Sequence, residues 1–470
     1  MAEVKYAHQN VGFKAIDLAA GKFEVKNRFY FTGLKKYQIN YAVKANGKVV
    51  RKGKTFLDIE PQGTQELTVN VAGLKPKAGT EYFVNFWVTT TEPEILIPVG
   101  HEIASEQFRL PIEPLAVAEH KASGKTNVTT EGDEVKVTTP RMQFVFNKKS
   151  GLVTSYKVNG TEYFTEGFGI QPNFWRAPND NDYGNGQPKR EQIWKQSSKN
   201  FKVADVITEA DGNNTVLTAN YLLAAGNLYI VKYTIYPDGV VHADITFTST
   251  DMEEGKTEVS EATLMATFSP GQQEARHAAS KLVVPRIGVR FRLPADMNQV
   301  EYFGRGPGEN YIDRQRASHV DLYQTTADAM YTNNYVRPQE NGHRTDTRWV
   351  ELTRKNGKGL KIVADETIGF NALRNSVEDF DSEEAVGKLR QWNNFTPEEI
   401  ANRNEEEAKN VLRHMTHVND ITPRNFVEVC VDMKQQGVAG FNSWGDRPLP
   451  EHTMPANQEY KWGFTLIPVK

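Results

Sequence analysis

The sequence holds a single cysteine, Cys430, in 470 residues. That excludes an intrachain disulfide and any zinc site built from several thiolates. No apolar run is long enough to cross a bilayer as a helix. The opening MAEVKYAHQNVGF has no apolar signal core, so the compartment, cytoplasm or periplasm, stays open. A charge excess is missing too. A net charge of -3 and a pI near 6.4 give no electrostatic case for nucleic acid or an anionic membrane, and neither is expected as a partner. No HExxH, no His-spaced zinc motif and no GxSxG elbow occur. Gly304-Arg305-Gly306-Pro307-Gly308 is glycine-rich, but no Lys-Ser/Thr or helix start follows it as a phosphate loop needs. Internal repeats and low-complexity tracts are also absent.

What is present points to an all-β chain. The apolar share of 39% is enough for packed cores, and the mean hydropathy of -0.58 fits a β-rich protein with a wet surface. Residues 1–114 read as an immunoglobulin-like sandwich of short strands. Asn46-Gly47 between strand-like runs is a hairpin signal. Tyr82–Thr89 is apolar on both faces and is expected to be a central strand. Residues 115–133 are small and polar with little periodicity and read as a linker. A larger β domain follows over 134–470, with a hairpin at Pro237-Asp238-Gly239. Val427, Val429, Val431 and Met433 alternate with Glu428, Cys430 and Asp432, the pattern of a half-buried strand. Cys430 then reads as a packed or semi-exposed thiol, not a nucleophile. Thr396, Pro397 and Glu399 make a capping box for a helix to about His414, and the acidic run Glu378–Glu384 reads as a mobile surface loop.

Four polar-aromatic segments carry the candidate chemistry. The first, Phe174–Gly186 (FWRAPNDNDYGNG), reads as a loop with Arg176, Asp180 and Asp182 on it. Its Asn and Asp side chains are expected mainly to bond their own backbone. Oxygen-rich loops suit calcium, but N-D-N-D lacks EF-hand spacing, so no metal is expected. In the second, Tyr302–Arg314, the groups Arg305, Glu309, Asp313 and Arg314 are expected to pair as a structural network, with ligand contact as the sharper alternative. In the third, Tyr331–Thr347, Glu340 and His343 are acid/base candidates, against the reading of a satisfied loop histidine. In the fourth, Gly437–Pro450, Trp444 stands between Ser443 and Gly445, as a core indole or as a platform for a sugar ring.

Together these segments resemble the C-terminal portion of bacterial β-galactosidases of glycoside hydrolase family 2. WRAPNDND, GRGPGENYIDR, RPQENGHRTDTRW and NSWG follow the order and approximate spacing of that family's last domain, and AHQNVGF with DIEPQGTQEL is similar to the sandwich before it. The resemblance covers nearly the whole chain. It implies a galactose mutarotase-like supersandwich over 134–470, no cofactor, and no catalytic residue here. In that family both catalytic glutamates lie on a (β/α)8 barrel, and this chain has no such pattern. The expected role is therefore an accessory module of an enzyme acting on β-galactosides. Its expected partners are galactose or a β-galactoside, the barrel and, as an option, copies of itself. By resemblance Trp444 becomes the substrate contact, while Arg176, Asp180, Asp182, Arg305, Glu309, Glu340 and His343 are loop-face candidates. An aldose 1-epimerase using His343, Glu340 and Glu309, or a non-catalytic carbohydrate-binding module, stands as the alternative.

Overall fold

A computed structural model describes residues 2–248, 282–381, 417–442 and 445–470. The expected helix Thr396–His414, the end of the acidic run and Trp444 lie outside the described residues. By contacts the chain divides into two units. One holds 1–120 with 303–307 and 314–323, and the other holds the remainder.

In the first unit, strands alternate because every second side chain meets a shared core. Val11–Asp17, Lys22–Asn27 and Thr64–Thr68 form a three-stranded sheet. Tyr37–Ala45, Lys48–Thr55, Tyr82–Thr90 and Glu102–Arg109 form a four-stranded one. Tyr82–Thr90 pairs on both sides, with Tyr37–Ala45 and Glu102–Arg109, so its apolar pattern on two faces did mark a central strand. Phe86 sits at the middle of the core, stacked on Phe13 at 4.6 Å and edge-on to Phe23 at 4.9 Å. Asn46 and Gly47 both take positive φ, 44° and 80°, as a two-residue hairpin turn requires.

The second unit is built on two antiparallel sheets. A five-stranded sheet runs from Asn127–Glu131 to Thr161–Glu162. Its first strand therefore falls inside the stretch 115–133. The larger sheet starts at Gln171–Asn173 and continues through Arg286–Pro294, Phe426–Gln435, Gly359–Leu373, Tyr460–Val469, Val241–Phe247, Leu228–Ile235 and Asn214–Leu222 to Lys202–Asp211. Arg344–Thr353 pairs with Gly359–Leu373 off this path. The two sheets meet through aromatics: Phe144 approaches Tyr233 at 5.5 Å, and Phe164 approaches Phe291 at 5.4 Å.

Three sequence expectations need correction. Phe426–Gln435 is not half-buried. Seven consecutive residues from Phe426 to Asp432 are buried, because strands flank it on both sides and both of its faces are covered. Phe174–Gly186 is not all loop, since Asp180–Gly184 is a short helix. Asn179 Oδ1 accepts from Asp182 N at 2.9 Å and Asp182 Oδ2 accepts from Asn179 N at 3.1 Å. That is a capping box, and the residue types that favour turns also start helices. The acidic run is anchored where it is described: Glu378 pairs with Arg290 at 2.8 Å, Asp379 with Arg424, and Asp381 with Lys195 at 2.7 Å. Burial would raise the Glu378 pKa, but Arg290 outweighs it and holds the carboxyl down at about 2. These basic partners lie far away in sequence, so the run looked unpaired on its own.

Candidate functional site: a buried charge network beside a cavity

On Phe426–Gln435 the odd-numbered valines face the aromatic core, while Glu428, Cys430 and Asp432 face the other way. The neighbouring strand supplies Arg286, Arg290 and Arg292. Glu428 takes Arg292 Nε at 2.9 Å and Arg290 Nη1 at 3.3 Å. Asp432 lies 3.2 Å from Arg286 Nε and 3.7 Å from His343 Nδ1. Gly288 and Gly369 flank Asp432 in register on the two adjoining strands. A Cβ on Gly288 would stand 2.2 Å from Asp432 Oδ1, and one on Gly369 would stand 2.6 Å from His343 Cε1. The two glycines clear the gap in which the carboxylate and the imidazole meet.

Arg286 is fully buried and holds the layer together. Its Nη2 donates to Glu340 Oε1 at 2.8 Å, and its Nη1 donates to the Trp175 carbonyl at 3.2 Å. The same Glu340 oxygen accepts from Asn371 at 3.0 Å and Gln435 at 3.2 Å. Arg176, also fully buried, grips Asp182 through Nε at 3.2 Å and Nη2 at 2.9 Å. It also donates to the carbonyls of Gln436 at 2.7 Å and Gly437 at 3.0 Å. Charge-assisted, bidentate bonds of this kind satisfy a guanidinium that has lost its water.

Burial sets the protonation states. It pushes His343 well below the usual imidazole range, and Arg286, Arg344 and Arg176 add to the push, so the ring is neutral. Burial pushes Asp432 up to about 7, against the pull of Arg286 and with help from Glu340. Burial alone would lower Arg286, but Asp432 and Glu340 outweigh it and hold its pKa above the ordinary value.

The candidate residues are thus sorted. Arg176, Asp182, Glu340 and His343 come together. Glu309 adjoins them, accepting from Gly342 N at 2.9 Å and from the Tyr335 hydroxyl. Asp180 stands apart on the surface, paired with Arg337 at 2.8 Å. Arg305 belongs to the first unit, where it donates to the Ser318 carbonyl at 2.9 Å. Sequence reasoning missed Arg286, Asn371, Asp432 and Gln435. The available signal was the isolated glycine in each of two apolar strands, Ile287-Gly288-Val289 and Ile368-Gly369-Phe370, which marks close approach.

His343 and Glu340 are only 1% and 4% exposed. Both are closed to solvent and neither lines the cavity at Asp182 and Gln436, which weighs against acid/base work on an anomeric carbon. The network does reach that cavity, of about 320 Å³, through Asp182 and Gln436. Gln187 and Glu191 line this cavity, each 1% exposed. Neither end of the Gln187 amide nor Glu191 Oε2 makes a hydrogen bond of good geometry, though the amide lies close enough to Glu191 to favour its charged form. Burial raises the Glu191 carboxyl, with Arg190 at 3.1 Å opposing.

Residues 138–466 match the family model described as β-galactosidase small chain, and residues 23–111 match β-galactosidase domain 4. The chain belongs to the β-galactosidase small-chain family. A β-galactosidase of Priestia megaterium is 29% identical over 100% of this chain and 40% of its own length. One of Halalkalibacterium halodurans is 25% identical over 99% and 40% respectively. The chain therefore spans about 40% of the length of these relatives. A galactose 1-epimerase structure from Lactobacillus acidophilus aligns with 74% of this chain and 99% of its own at 8% identity. Its TM-score of 0.34 does not by itself establish a shared fold. The all-β small-chain architecture agrees with the expected sandwich and large antiparallel domain.

The two buried titrations have opposite signs. Asp432 has a raised pKa, so its contribution to stability is present below about pH 4 and lost as pH rises through about 7. His343 has a lowered pKa, so its contribution is present above about 6.5 and lost as pH falls through the folded-state value. Melting temperatures followed from pH 4 to 7 should rise more steeply in Asp432→Asn than in the parent, and less steeply in His343→Gln. Parallel profiles for all three proteins would contradict these assignments.

Proposed function

We propose that this chain is the C-terminal part of a β-galactosidase and works as the accessory module of a complete enzyme. The observation that carries this reading is the end-to-end match of the chain to about 40% of curated β-galactosidases. The hydrolytic carboxylates would come from a (β/α)8 barrel, and this chain would contribute Trp444 to the substrate side. The buried network would hold the segment leading to that residue in place, since Arg176 bonds the carbonyls of Gln436 and Gly437 ahead of it. Apolar surface for docking is present on the first unit, where Phe31, Ile95 and Leu96 are 97%, 92% and 98% exposed.

Alone, the chain should not turn over a chromogenic β-galactoside. Turnover that a point substitution in this chain abolishes would overturn the reading. Joined to a barrel-bearing segment, Trp444→Ala should raise KM for the galactoside several-fold. Unchanged KM and kcat would remove Trp444 from the site.

A second reading, non-catalytic carbohydrate binding, draws support from the cavity at Gln187 and Glu191. An amide and a carboxyl side by side on the cavity wall suit a polyol. The cavity lies at the lower end of the ligand-pocket range of about 300–1,000 Å³. Calorimetric titration with galactose should give saturable binding that Gln187→Leu weakens at least about tenfold. No binding, or binding indifferent to the substitution, would contradict it.

A further inference from the structure

The outer face of the large sheet carries a separate constellation. His242 and Asp244 are two residues apart on Val241–Phe247 and share a face. Asp365 projects from Gly359–Leu373, and Tyr460–Val469 runs between these two strands. His242 Nε2 lies 3.2 Å from Asp244 Oδ1 and 3.7 Å from Asp365 Oδ2. Ligand atoms from the three residues all lie within 4.8 Å of one another. Donors about 2.1 Å from one ion, at tetrahedral or octahedral angles, stand about 3.0–3.5 Å apart, so small side-chain shifts bring the trio onto one centre.

Two features of the strand between them position the trio. Gly463, on the intervening strand, is opposite Asp244 in register. A Cβ on it would stand 2.2 Å from Asp365 Oδ2, so the glycine clears the space in which the three side chains converge. The second feature is Thr465, whose Oγ1 lies 3.0 Å from His242 Nδ1. Before an ion binds, Nε2–H donates to Asp244 Oδ1 at 3.2 Å; with Nδ1–H donating to the Thr465 hydroxyl, an arriving cation displaces the Nε2 proton and takes its lone pair. A fixed partner on the far nitrogen is the usual support of a metal-bound histidine.

We propose that His242, Asp244 and Asp365 bind a divalent transition-metal cation of the Zn²⁺ class. An imidazole nitrogen with two carboxylates suits such an ion better than Mg²⁺ or Ca²⁺, which favour all-oxygen shells. The side chains are 24%, 53% and 44% exposed, so water completes the coordination. Lys232, opposite Asp244 in register, brings one opposing charge against two carboxylates. The ion ties Val241–Phe247 to Gly359–Leu373, two strands that do not pair directly.

Calorimetric titration of the purified chain with ZnCl₂, paired with thermal melts, tests this. One saturable event per chain and a Zn²⁺-dependent rise in Tm are expected. His242→Gln and Asp365→Asn should weaken binding more than tenfold while melting like the parent without metal. Thr465→Val should weaken it about tenfold. MgCl₂ at the same concentration should produce no comparable shift. Absence of saturable Zn²⁺ binding, binding unchanged in both His242→Gln and Asp365→Asn, or Mg²⁺ binding as tight as Zn²⁺ would overturn the assignment.

Discussion

A guanidinium stripped of water must find carboxylates and carbonyls inside the protein, and Arg286 sets that requirement at the centre of the larger unit. It has no exposed surface. Its partners come from three separated stretches: the Trp175 carbonyl, Glu340, and the strand that carries Cys430, with Sγ at 3.7 Å, and Asp432. Removing one partner of such a buried pair costs about 3–5 kcal/mol, because the other charge is left uncompensated. Arg176 repeats the logic one layer along, binding Asp182 and the carbonyls after Gln435. The segments that look like free polar loops in the sequence are thereby drawn inward. Phe174, Trp175 and Arg176 are all buried.

That explains what could and could not be read from residue order. Hairpins at Asn46-Gly47 and Pro237-Asp238-Gly239 depend on local backbone chemistry and were legible, as was the central strand Tyr82–Thr90. The alternation around Cys430 was also visible, but its meaning was not. A polar face normally looks to water, whereas here Glu428 and Asp432 look to Arg286, Arg290 and Arg292 on the next strand. Which strand lies beside which is a non-local fact, so the pattern alone suggested half-burial. The same limit hid Asn371 and Gln435, whose amides serve Glu340 across the sheet. The short helix at Asp180–Gly184 was missed for the opposite reason. Its capping residues are the ones that also favour turns.

The family assignment and the geometry meet in the idea of support. The network spends most of its polar groups on one another and on backbone carbonyls, and its titratable members with acid/base potential, His343, Glu340 and Asp432, are closed to solvent. Such a layer is suited to fixing loops; under the proposed reading, the chemistry would be supplied from elsewhere in a larger enzyme. Buried atoms without a hydrogen bond of good geometry occur at its centre, on Asp432, His343 Nδ1 and Arg286 Nε, and also at its margin, on Gln187 and Glu191 beside the cavity. The outer face of the sheet, with its His242–Asp244–Asp365 trio, is a different surface with different chemistry.

The central claim is that Arg286 and Glu340 act as one unit. A double-mutant cycle with Arg286→Met and Glu340→Gln, read by urea unfolding, measures it directly. The account predicts a coupling of at least about 2 kcal/mol, with the double variant losing clearly less stability than the two single losses summed. Losses that add to within about 0.5 kcal/mol would contradict it.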